Sequence, residues 1–113
     1  EAVLEKLAER GWQDDARFAQ TLARTRIGMG HGPLRIRAEL GTHGLSGEQI
    51  EAALEELAPD WAEQARQAVL KRFTAADMAD PQRRRKAAEF LFRRGFDHDS
   101  VRAATRYDPD DPA

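Results

Sequence analysis

The sequence contains no cysteine, which removes disulfides, thiolate zinc sites, iron–sulfur ligation and cysteine nucleophiles. It has no long apolar run either. The longest stretches, such as Phe90-Leu91-Phe92, are far too short for a membrane span or the apolar core of a signal peptide. A soluble, cytoplasmic protein with no membrane partner is therefore expected. β-Branched residues are scarce and no segment sustains two-residue alternation, so strands are not expected. Net charge is almost absent, at −2 from 18 Lys+Arg and 20 Asp+Glu. What is plentiful is Ala, Leu, Glu, Arg and Gln, all good helix formers, and the fold class is read as all-α. A chain of 113 residues should hide roughly 65% of its unfolded surface, enough for a core without covalent staples. Glu1 falls inside what reads as a running helix, which predicts that part of the protein precedes it.

The charge is unevenly distributed. Residues 16–38 hold Arg17, Arg24, Arg26, Arg35 and Arg37 with no acid, and residues 83–94 hold Arg83, Arg84, Arg85, Lys86, Arg93 and Arg94 with only Glu89. These windows contain 11 of the 18 basic residues and one of the 20 acidic ones. Such segregation suits a polyanion or an acidic protein groove, with acidic flanks limiting promiscuous binding. Arg17 and Arg24, seven apart, share a helix face, and Lys86 and Arg93 repeat the arrangement.

One local pattern occurs three times: Leu7 to Gly11-Trp12, Leu40 to Gly44-Leu45, and Leu91 to Gly95-Phe96. If each glycine is the left-handed residue just past a helix end, the leucine and the following apolar residue are placed to pack on each other in a Schellman stop. A new helix is then expected at Asp14, Ser46 and Asp97, with Ser46 and Gln49 forming a capping box. Four residues beyond these caps stand Phe18, Ile50 and Val101, onto which Leu45 and Phe96 can staple in the latter two cases. A further helix opens near Asp60, where Trp61, Ala65, Ala68, Val69 and Phe73 form one apolar stripe. Residues 28–33 and 74–81 read as loops, with Pro33 and Pro81 in the first turn of the helices that follow. The glycines are unequally spaced, so the repeat is a degenerate array of helical units rather than a regular solenoid.

The candidate chemistry is sparse. Gly28-Met-Gly30-His-Gly32 lacks the preceding strand and the Lys-Ser/Thr of a phosphate loop, so it reads as a hinge and helix start and no cofactor is expected. A weaker form survives, in which amides near Pro33 with Arg35 and Arg37 hold a phosphate or carboxylate. His31, His43 and His98 lie in separate turns without metal spacing and are expected at the surface. Asp14-Asp15 and Asp97-His98-Asp99 fall where caps are required. No serine is marked as activated, so neither a metal site nor an enzyme is expected. The spacing of Trp12, Phe18, Trp61, Phe73, Phe90, Phe92 and Phe96 favours core over base stacking, with Phe92 and Tyr107 least constrained.

Three segments, Gly11-Trp-Gln-Asp-Asp-Ala-Arg-Phe-Ala19, Gly32-Pro-Leu-Arg-Ile-Arg-Ala-Glu-Leu40 and Phe90-Leu-Phe-Arg-Arg-Gly-Phe96, in this order and spacing, resemble the RecX family of bacterial regulatory proteins that modulate the RecA recombinase. The resemblance runs from about Val3 to Tyr107. Gln13 departs from the apolar residue expected there, which bears on packing of the first turn. The resemblance implies an elongated, curved tandem array of three-helix units. Its units are expected at 1–31 (incomplete), 32–76 and 77–107, followed by a frayed acidic tail at 108–113. It further implies a protein lying in the groove of the RecA filament on single-stranded DNA and inhibiting strand exchange, ATP hydrolysis and stimulated repressor cleavage; a monomer is expected. Direct DNA binding through the same basic residues is the alternative. The contact stripes, Arg17 to Arg37 and Arg83 to Arg94, rest on charge clustering and not on the resemblance.

Overall fold

The computed structural model describes the backbone of residues 2–107 and the side chains of residues 14–107. The elements are α1 (Ala2–Gly28), α2 (Pro33–Thr42), α3 (Gly47–Leu57), α4 (Trp61–Leu70), a 3-10 turn (Ala75–Ala79), α5 (Pro81–Arg93) and α6 (His98–Thr105), with no strand among the described residues. The fold is all-α, as the composition implies. The radius of gyration is 17.8 Å and the extents are 65 × 23 × 19 Å, whereas a compact domain of this length would have a radius near 13 Å. The molecule is a rod of helices.

Local chemistry explains most boundaries. Ser46 accepts from the Gln49 amide at 3.1 Å while the Gln49 side chain accepts from the Ser46 amide at 2.8 Å, a complete capping box. Asp60 caps α4 through the Glu63 amide and Asp97 caps α6 through the Ser100 amide. Pro33 and Pro81 occupy the first turns of α2 and α5. The segment 74–81, expected as a loop, contains the 3-10 turn, because Thr74 and Asp77 build a second reciprocal capping box.

The stop after α5 has both Schellman bonds, Gly95 N–H to the Phe92 carbonyl at 3.0 Å and Phe96 N–H to the Leu91 carbonyl at 3.1 Å, with Gly95 at φ +93°. Gly44 closes α2 with the inner bond, to Gly41 at 3.2 Å. The expected stop at Gly11 does not form: α1 runs unbroken from Ala2 to Gly28. A helical glycine costs only about 1 kcal/mol against alanine, and its neighbours Ala8, Glu9, Arg10 and Gln13 are good helix formers. Asp14 is therefore inside a helix and not a cap. The packing expected of Leu7, Trp12 and Gln13, and the fraying expected of 108–113, lie outside the described residues. The real stop of α1 is at Gly30, where Gly30 N–H reaches the Ile27 carbonyl and His31 N–H the Arg26 carbonyl, both at 3.0 Å.

Two apolar clusters follow. Ala19 and Ala23 of α1, Ile36 and Leu40 of α2, and Ile50, Ala53 and Leu54 of α3 bury one another together with Leu45. Ala65, Ala68 and Val69 of α4, Ala87, Phe90 and Leu91 of α5, and Val101 and Ala104 of α6 close around Met78 and Phe96. Contacts thus group α1–α3 and α4–α6, and half-buried Trp61 packs against both clusters. Phe73 is also core-facing. Phe18 is not: it is 43% exposed, since Ala19 and Ala23 set the buried face of α1 and Phe18 lies at its edge, resting on the His43 ring at 5.0 Å. Phe92 and Tyr107 are exposed.

Candidate functional site

The two helix groups meet end to end through main chain. The first amides of a helix and the last carbonyls of another normally lack partners within their own helices. Here they partner each other: Gly32 N–H donates to the Arg94 carbonyl at 2.7 Å and Leu34 N–H to the Gly95 carbonyl at 2.9 Å. The positive end of α2 thereby faces the negative end of α5, a favourable dipole arrangement. The approach is so close that a Cβ on Gly32 would lie 2.5 Å from the Gly95 carbonyl atoms, and one on Gly95 would lie 2.4 Å from the Arg35 Cβ. This corrects two expectations. The glycine segment at 28–32 is a clamped turn and not a hinge, and the amides near Pro33 are occupied by α5, so they do not form an open anion site.

His31 enters this junction. Expected at the surface, it is 7% exposed, because it follows the left-handed Gly30 and is turned inward by that stop. Burial pushes its pKa down from the ordinary value of 6.5, and Arg35, Arg94 and Arg26 push the same way while Glu39 opposes them. The folded protein therefore protonates His31 less readily than the unfolded chain, which takes up a proton below about pH 6.5. Stability from this source is complete above that pH and falls as the pH drops toward the lower folded value. Urea titrations between pH 7.5 and 5 should show the loss, and a His31→Gln variant should show a flatter profile. Identical profiles would remove His31 as the cause. His43 and His98 are exposed, as expected.

The basic residues of the first window are placed unequally. Arg26 grips Glu39 through its Nε at 2.7 and 2.8 Å, tying α1 to α2. Arg37 grips Glu51 at 2.6 and 3.2 Å, tying α2 to α3. These hydrogen bonds hold Glu39 and Glu51 below the usual carboxylate range. Arg17 stands 3.7 Å from Asp14 with both side chains largely exposed, a pair of little energetic weight. Arg24 and Arg35 are exposed and have no acidic partner among the described residues.

In the second window Arg83 pairs with Asp77 and Asp80, and Arg84 donates to the Met78 carbonyl at 3.2 Å. Arg85, Lys86 and Arg93 are exposed without an acidic partner among the described residues. Arg94 donates to the Met29 carbonyl at 3.3 Å and lies 5.1 Å from the centre of the Phe90 ring. Arg72, outside both windows, lies 4.8 Å from the same ring. Together with Lys71 it lines a cleft of about 90 Å³ with Met29, Gly30, Ala68, Phe90 and Arg94. Charge counting along the sequence overlooks Lys71 and Arg72 because acids elsewhere in α3 and α4 dilute them. The usable signal is their position directly after Leu70, where α4 ends and cations are favoured.

Among the described residues no group of three or more His, Asp or Glu side chains suits a metal ion. No described helix is long and apolar enough to cross a membrane. Two groups of three helices, locked end to end by main chain and carrying exposed cations, define a tandem helical-repeat protein. The family model for the second three-helix domain of RecX matches residues 14–54, and that for the third three-helix domain matches residues 59–105. A regulatory protein RecX from Stenotrophomonas maltophilia is 57% identical over 111 residues, covering 98% of this chain and 68% of the relative. One from Xanthomonas oryzae is 54% identical over 109 residues, covering 96% and 68%, and one from Xanthomonas campestris 50% identical over 111 residues, covering 98% and 68%. The chain belongs to the RecX family of regulatory proteins.

Proposed function

We propose that the protein is a non-enzymatic cytoplasmic regulator that lies in the groove of the RecA filament on single-stranded DNA. There it restrains strand exchange, ATP hydrolysis and stimulated repressor cleavage, and so acts in recombination, DNA repair and the SOS response. The observation that supports this reading best is the shape, a rod 65 Å long and about 20 Å across. Such a body can follow a groove and spread its contacts over several subunits. Arg24 and Arg35 are the contact candidates of the first window, since Arg26 and Arg37 already hold the fold together. Arg85, Lys86 and Arg93 are those of the second.

An Arg24→Glu, Arg35→Glu double variant should weaken filament inhibition by about tenfold, the equivalent of roughly 1.4 kcal/mol, with unchanged circular dichroism. Unchanged inhibition in a folded double variant would remove both residues from the contact. The cationic cleft favours a second reading, in which the chain binds DNA directly. That reading predicts affinity for bare DNA falling steeply with salt, whereas filament recognition predicts tighter binding to the filament than to the same DNA alone at physiological salt.

A further inference from the structure

The cleft between α4, α5 and the stop of α1 is not accounted for by holding the fold together. Arg26 and Arg37 are neutralised by carboxylates, but no acidic residue is among those that line this cleft. Its cations are instead held by packing. Arg72 and Arg94 both rest on Phe90, itself 7% exposed, and Arg94 is further fixed by the Met29 carbonyl. Lys71 is the C-cap of α4 and Arg94 that of α5, while Met29 follows the end of α1. Cations at helix C-termini are favourable in themselves, each helix end being worth about half a negative charge. That explanation is insufficient here, since three such ends offset only about half of three positive charges.

We propose that this cleft is a binding site for a phosphoryl group. The donors decide between phosphate and carboxylate. A guanidinium carries five N–H donors and an ammonium three. Arg94 uses one of its donors on Met29, so the two guanidinium groups and Lys71, which line the same cleft, together carry more donors than the two oxygens of a carboxylate can use. The tetrahedral oxygens of a phosphoryl group accept more of them. The cleft, about 90 Å³ in volume, has room for a tetrahedral phosphoryl group. The phosphoryl group can belong to a single-stranded nucleic acid backbone or to a small phosphate compound, and the two sources share this chemistry.

The test needs no recombinase, so it fails or succeeds apart from the filament reading. Inorganic pyrophosphate titrated into the labelled chain should shift the backbone amide resonances of Gly30 and Ala68. A fluorescent oligothymidylate should bind with an affinity lowered at least tenfold in a Lys71→Gln, Arg72→Gln variant. Its salt slope should be shallower by about 1.4, the value for two single-strand phosphate contacts. Arg72→Lys, which keeps the charge, should retain most of the binding and guards against a folding defect. Shifts with pyrophosphate alone would assign the site to small phosphates, and shifts with both ligands would assign it to a backbone phosphate as well. Absence of shifts at Gly30 and Ala68 with either ligand would overturn the proposal. So would equal competition by a glutamate peptide of matched charge.

Discussion

A Gly95→Ala variant should lose about 3–5 kcal/mol of stability, a large part of the 5–15 kcal/mol typical of a domain. Two terms act together at this position. Its φ of +93° costs a residue with a Cβ about 1–2 kcal/mol. The new methyl would also sit 2.4 Å from the Arg35 Cβ and 2.6 Å from the Arg35 nitrogen, so the ends of α2 and α5 must part. Parting exposes or orphans the Gly32 and Leu34 amides, each about 1–3 kcal/mol if left buried and unpaired. Two other glycines separate these terms. Gly44 has φ +80° and nothing within 4 Å of a built Cβ, so Gly44→Ala should cost only the strain. Gly32 has φ −90° but would meet Gly95 and Phe96 main chain at 2.5 Å, so Gly32→Ala should cost only the separation of the junction. Urea unfolding of the three variants measures all of this. A Gly95→Ala no less stable than Gly44→Ala would show that the close approach contributes nothing.

Phe96→Ala is expected to cost about 3–5 kcal/mol, the range for truncating a buried aromatic residue. Phe96 is wholly buried and serves three purposes at once. It closes the α5 stop through its amide to Leu91, precedes the Asp97 cap where it can staple onto Val101, and fills the centre of the second cluster. At roughly 4–8 °C per kcal/mol the melting temperature should fall on the order of 20 °C. Phe92→Ala, four residues earlier and 42% exposed, should move it by only a few degrees. Equal losses in the two variants would mean that burial does not set the ranking.

These positions also mark what the sequence makes legible. The stop at Gly95, the Ser46 box and the Asp60 and Asp97 caps are local, since the atoms that form them lie within six residues, and each could be read directly. The stop at Gly30 is equally local but escapes a search for apolar partners, because Arg26 and His31 stand where leucine and an aromatic residue stand at Gly95. At Gly11 the pattern is present and the turn is not, as good helix formers on both sides carry α1 through. Phe18 illustrates a different limit: helical spacing tells which residues share a face but not where the edge of the buried face falls.

The candidate surface was harder to read, for electrostatic reasons. Clustered arginines look alike in sequence, yet Arg26 and Arg37 meet Glu39 and Glu51 only after α1, α2 and α3 have packed. Their separations of 13 and 14 residues exceed any helical period. Conversely, Arg72 and Arg94 come together on one ring only because α4 and α5 share a core. The residues that a polyanion would meet are the remainder after internal pairing, and that remainder is a tertiary property.

The joint between the two halves is made chiefly from peptide groups, at Gly32 and Leu34 on one side and Arg94 and Gly95 on the other, with the Arg94 side chain on the Met29 carbonyl and Trp61 against both clusters beside them. The angle at which one half leaves the other is thus written largely in backbone geometry, whereas the exposed Arg24, Arg85, Lys86 and Arg93 make none of the contacts described across the joint. The two can be altered independently. Replacing those exposed cations can change the charge the rod presents while the angle between its halves stays fixed.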